Sequence, residues 1–184
     1  MRRRNRGGGV ERRRVAGASM GGRAQQPEDF PNAFESAFAR LQVLLEMACV
    51  SGGPWPERVR TAVRQALEFA AADPATASVL TAGALAQGSD GIERYERLMG
   101  YLARLLEAGR GESPHGPDLP PTTERSLAGG VATIIANRVD RGRADELPGL
   151  TAEVVQFILT PYMGTEEARR IATAGDWPDS QPDR

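Results

Sequence analysis

The chain has 184 residues, 40% of them hydrophobic, and a formal net charge of −1, which suffices for one domain with its own core. One cysteine, Cys49, excludes an internal disulfide, and one histidine, His115, argues against a His-based metal centre, so neither metal nor cofactor is expected. No apolar run approaches the ~18 residues of a membrane span, and no apolar stretch follows the N-terminal arginines as in a secretory signal; the expectation is a cytoplasmic protein with no membrane partner.

All 23 basic residues are arginine, which together with abundant Ala, Gly and Pro reads as the codon bias of a GC-rich genome. The charge is unevenly spread. Residues 1–23 hold 8 Arg and 1 Glu, whereas the remainder is acidic. Residues 1–28 carry Gly clusters and no apolar periodicity, and are expected to be a disordered tail. Two readings of it stand side by side. Arg2, Arg3, Arg4, Arg12, Arg13 and Arg14 suit salt-sensitive, sequence-independent contact with nucleic acid, or the segment is an unselected extension.

A first helix is predicted over Pro31–Val50, with Phe34, Phe38, Leu41 and Leu45 stepping along one face. Gly52-Gly53 stop it, and Pro54 is placed to open the next, where its missing N–H costs nothing. That second helix sets Trp55, Val59, Val63 and Leu67 at successive i+4 steps and ends at Asp73-Pro74. A short apolar helix follows over Ala75–Ala86. Asp90 and Glu93 have capping-box spacing for the next, Gly91–Ala108, whose Ile92, Tyr95, Met99, Leu102 and Leu106 share a face. Residues 109–121 read as a Pro- and Gly-rich loop.

Two central helices then occupy Thr122–Gly164. The first alternates Leu127, Val131 and Ile134 with the small residues Ala128, Ala132 and Ala136. The second is apolar over well over half its circumference, through Val154, Val155, Phe157, Ile158, Leu159, Tyr162 and Met163. A surface helix needs only about a 100° apolar stripe. Such girth asks for two covers, and a second subunit is a natural outer one. The expectation is a homodimer with a four-helix interface formed by Leu127, Ala128, Val131, Ala132 and Ile135 of the first helix and Val154, Val155, Ile158, Leu159 and Tyr162 of the second. The alternative puts both helices inside a monomer core. Gly164 suits a C-cap, Thr165 starts a last short helix, and residues 176–184 form a polar tail. No segment alternates as a strand does, so a single all-α domain over 29–175, with six or seven helices, is expected.

Catalytic chemistry finds little support. Cys49 sits among apolar neighbours and reads as a packed core thiol, and His115 as an exposed bystander. Glu166-Glu167 favour a helix N-terminus, and Gly129-Gly130 lack the spacing of a phosphate loop. A non-enzyme is expected.

The order and texture of PWPERVRTAVRQALEFAAADP (Pro54–Pro74), IERYERLMGYLARLL (Ile92–Leu106), TTERSLAGGVATIIANRV (Thr122–Val139) and LPGLTAEVVQFILTPYMG (Leu147–Gly164) resemble the C-terminal half of the tetracycline-repressor (TetR/AcrR) family of transcriptional regulators. The resemblance covers most of Phe30–Gly164. It implies a helical effector-binding and dimerisation domain whose last two long helices form the dimer interface. It also implies a pocket for a small hydrophobic effector, and places Phe38, Leu41, Val63, Leu67, Tyr95 and Met99 on the helices that enclose it. Residues 1–28 depart from the pattern, being too short and too rich in Gly and Arg for the family's three-helix DNA-binding module. No residue is nominated to read a base edge, and DNA contact is expected to be non-specific, through the Arg tail, unless a helix-turn-helix is missing from this chain. The second functional expectation is a ligand-binding or heterodimerising module without direct sequence-specific DNA binding.

Overall fold

The computed structural model describes residues 29–174 other than Ser51, and over that range the chain is an all-helical bundle. The expected tails at 1–28 and 176–184, with all six nominated tail arginines, lie outside the described residues. Among the described residues there are nine α-helical segments, two of them only four residues long. They are α1 (Phe30–Val50), α2 (Trp55–Ala72), α3 (Pro74–Leu80), α4 (Ala82–Leu85), α5 (Gly88–Glu107), α6 (Gly109–Glu112), α7 (Thr123–Asp140), α8 (Thr151–Met163) and α9 (Thr165–Thr173). Short 3-10 turns cover Gly116–Asp118 and Ala144–Leu150.

The long helices follow their local signals. Pro54 precedes α2 as expected, and Asp73 both ends α2 and caps α3, its Oδ1 accepting from the Thr76 N–H at 3.0 Å. Gly164 ends α8 at φ +82°, a conformation that suits glycine. Three expectations fail. The Ala75–Ala86 helix is broken at buried Thr81, whose backbone leaves helical geometry while its Oγ1 donates to the Ala77 carbonyl at 2.8 Å. The Asp90–Glu93 capping box is not used, because α5 already begins at Gly88 and Asp90 lies in its first turn. The α5 face is also rotated from the one expected. A Cβ at Gly91 would stand 2.0 Å from the Ala84 carbonyl, so α4 seats directly on that glycine and Ile92 is turned out to solvent.

α2 runs through the middle of the bundle. One face packs on α1 and α3, the other on α8, α9 and the second 3-10 turn. The core accordingly falls into two apolar clusters. One is built on the aromatic ladder Phe30, Phe34 and Phe38 with Leu98, Met99 and Tyr101; the other joins Trp55, Val59 and Leu67 to Leu147 and α8. Val154, Val155, Leu159 and Tyr162 are 0% exposed and Ile158 is 4% exposed. The girth of α8 is therefore covered within its own chain, by α2 and by the Ala168, Ile171 and Ala172 face of α9. This corrects the expected interface set: these five side chains are not available to a partner in this arrangement. What α7 and α8 show outward is different. Phe157 is 42% exposed and lies over Gly130, where a Cβ would come within 2.9 Å of its ring. No described helix is long and apolar enough to cross a membrane.

Candidate functional site

A cavity of about 330 Å3 opens between α1, α2, α5 and α7. Its position follows from where the sequence spends small residues. Ala62, Ala66, Ala70, Ala77, Ala128 and Ala132 all line it, and a wall of alanines between helices leaves volume that Leu or Phe would fill. Larger apolar side chains complete the enclosure: Leu41 and Leu45 of α1, Val59 and Val63 of α2, Leu98, Met99 and Leu102 of α5, and Ile158 of α8. The size and apolar lining match a site that accepts a small ligand.

Five lining residues carry polar groups: Cys49, Trp55 through its indole N–H, Arg58, Thr81 and Arg104. The Thr81 hydroxyl is already committed to Ala77, and Arg58 donates to Glu112 at 2.7 Å. Arg104 is exposed and has no carboxylate within ion-pair distance among the described residues. Cys49 is half-buried; burial pushes its thiol up, against the opposing pull of Arg58. A protonated thiol of that kind is a poor nucleophile, and the side chain stands in the cavity wall rather than in the packed core.

Of the six residues nominated for a pocket, Leu41, Val63 and Met99 line the cavity. The other three do not. Phe38 is buried edge-on against Tyr101, with ring centroids 5.5 Å apart, and Leu67 is wholly buried in the cluster that joins α2 to α8. Tyr95 is half-buried against the aromatic cluster and cannot serve as a polar handle inside the cavity, since it is not part of its wall. In place of these, the wall takes residues nominated for the dimer interface. Ala128, Val131, Ala132, Ile135 and Ile158 all face the cavity, while Leu127 packs in the α2–α8 cluster. The small stripe of α7 thus makes room for the cavity within the chain.

A buried polar network closes the neighbouring end of the bundle. Glu124 of α7 is 2% exposed. Its Oε1 accepts from the Tyr162 hydroxyl at 3.0 Å and its Oε2 from Arg110 Nη2 at 2.8 Å. Arg110 also donates to the carbonyls of Leu119 at 2.7 Å and Pro120 at 2.8 Å. Burial pushes the Glu124 carboxyl up, but the hydrogen bonds from Arg110, the backbone and Tyr162 outweigh it and the net shift is downward. Burial, reinforced by Glu124, raises the Tyr162 phenol far above its ordinary range. Trp55 connects the network to the cavity, lining the latter and lying 4.7 Å from the Tyr162 ring. Nothing in the sequence pattern announces this arrangement, because its members stand 14 and 38 residues apart.

No cluster of three or more His, Cys, Asp or Glu side chains suited to a metal occurs among the described residues. The cavity is the feature with the clearest capacity to bind, and the network beside it is built to hold helices in register. Compared with known proteins, the sequence matches no family model, and neither a curated protein nor a solved structure gives a significant match.

Proposed function

We propose that this chain is the effector-binding and dimerising part of a ligand-responsive transcriptional regulator of the tetracycline-repressor kind, acting in the cytoplasm without catalysis. The observation that carries the reading is the apolar cavity of about 330 Å3 enclosed by α1, α2, α5 and α7, with α8 supplying part of its wall. A ligand seated there touches α7 and α8 directly through Ala128, Ala132, Ile135 and Ile158. Binding would favour one packing of these helices over another, and a partner seated on their outer face would feel the shift. That face, centred on Phe157, replaces the inward residues as the homodimer seam. The test is a thermal-shift screen of small apolar compounds against the chain and an Ala132→Phe variant, whose ring would occupy the cavity. A compound that raises the melting temperature of the first and not the second supports the reading. If no compound stabilises the chain, or both forms respond alike, it fails.

A second reading is a ligand-binding or heterodimerising module without direct sequence-specific DNA contact. Its support is that the helices from Phe30 onward all join one bundle, which leaves none of the described helices to act as a separate DNA-reading unit. Fluorescence anisotropy of the full chain on its own upstream DNA and on a scrambled duplex separates the two. Preference for the upstream duplex favours the regulator; equal, salt-labile binding or none favours the module.

A further inference from the structure

The inner wall of the cavity is almost wholly apolar. Its one buried hydroxyl, on Thr81, is taken by the Ala77 carbonyl, and the remaining inner wall is aliphatic or aromatic. A ligand that buried polar atoms among these side chains would strip them of water without replacement. Polar atoms must therefore stay at the rim, where Cys49, Arg58 and Arg104 reach the surface. The two rim arginines differ. Arg58 is already neutralised by Glu112 at 2.7 Å, whereas Arg104 has no acidic partner among the described residues. An arginine with no ion-pair partner among the described residues, at the open end of an apolar cavity, is a place for an anionic acceptor.

We propose that the cavity takes a single-chain amphipathic anion, with its hydrocarbon chain between α2, α5 and α7 and its anionic head on Arg104. This deepens the effector-site reading and rests on it. The cavity, of about 330 Å3 and lined by aliphatic and aromatic side chains, has room for a small hydrocarbon body. An arginine recognises carboxylate and phosphate heads by the same paired N–H geometry, so both belong to the class.

The experiment is titration calorimetry of the full chain with decanoate, decyl phosphate and decanol, each below its aggregation threshold, repeated with Arg104→Gln and at two salt concentrations. The expected result is that at least one anion binds about tenfold more tightly than decanol. Arg104→Gln then weakens that anion about tenfold and leaves decanol unchanged, and added salt does the same. The ratio of decanoate to decyl phosphate identifies the head. Equal binding of anions and alcohol, or an Arg104→Gln variant that loses nothing or loses all three equally, overturns the anionic head while leaving the cavity as a binding site. If none of the three binds while a compound of the thermal-shift screen stabilises the chain, the amphipathic anion is overturned and the effector site stands; if nothing binds in either experiment, the effector-site reading falls as well.

Discussion

The Tyr162 hydroxyl donates to Oε1 of Glu124 at 3.0 Å across the packed faces of α8 and α7, and the Leu106 carbonyl lies 3.3 Å from that hydroxyl. The pair ties the C-terminal ends of α5 and α8 to the start of α7, next to the cavity. It also explains why the Pro- and Gly-rich connection after α5 is not a loose loop. Arg110 clamps that segment to Glu124, and the His115 N–H donates to the Tyr162 carbonyl at 3.0 Å.

Tyr162→Phe removes one donor from a buried carboxylate and leaves the ring in place. The expected loss is about 1–3 kcal/mol in urea unfolding, the usual cost of an unmet bond to a buried charged group. Glu124→Gln should cost about 2 kcal/mol, less than an isolated buried pair would suggest, because Arg110 reaches solvent and can rehydrate. If both variants unfold at the wild-type denaturant midpoint, the network does not stabilise the fold.

The same carboxylate gives the stability an acid limb. Glu124 is held below its ordinary pKa, as is Asp73, mainly by its hydrogen bonds from Thr76. A carboxyl depressed in the folded state binds fewer protons there than in the unfolded chain. Its contribution is therefore complete above the unfolded value, about 4.3 for Glu, and is lost as pH falls through the lower folded one. Urea midpoints should stay level above about pH 5.5 and fall below about pH 4.5, with a shallower fall in Glu124→Gln. An unchanged acid slope in the variant would assign the limb to other groups.

Adjacent residues on α8 should respond in opposite ways. Phe157→Glu alters a ring that is 42% exposed, so the protomer should remain folded, within about 1 kcal/mol, and the proposed homodimer should dissociate in sedimentation at micromolar concentration. Ile158→Glu instead puts a carboxylate into the cavity wall and should unfold the domain or cost several kcal/mol. A Phe157→Glu protein that remains dimeric moves the seam elsewhere.

Gly109 is required by contact rather than by conformation. A Cβ there would stand 2.3 Å from the Trp55 ring, which itself lines the cavity and lies tilted against Tyr162. Gly109→Ala should cost about 1–3 kcal/mol by overpacking, and should blunt ligand-induced thermal stabilisation as Trp55 shifts. A variant as stable as wild type would show that the indole can move freely.

Part of this was legible one residue at a time. The i+4 ladder of α2, the phenylalanine ladder of α1, and the stops at Pro54, Asp73-Pro74 and Gly164 are local patterns with local causes, so the long helices fall where the sequence puts them. Leu41, Val63 and Met99, which the family resemblance placed on the enclosing helices, stand in the cavity wall, while Phe38, Leu67 and Tyr95 do not. The exceptions mark where neighbours intervene. Ile92 looks like a core residue from its spacing and is exposed because α4 seats on Gly91.

The sequence by itself determined the class of the fold, an all-helical bundle, and the demand that α8 be covered on nearly all sides. Periodicity records how much apolar surface a helix carries, and that alone settles the demand. It does not record which chain or which helix answers it. Only the tertiary structure decided that α2 and α9 cover α8 from within, and that the alanines of α2 and α7 face each other across unfilled space. A cavity is the volume left between side chains on separate helices, and a buried network such as Arg110–Glu124–Tyr162 joins residues far apart in the chain. Both depend on how the helices meet, and so no run of neighbouring residues contains them.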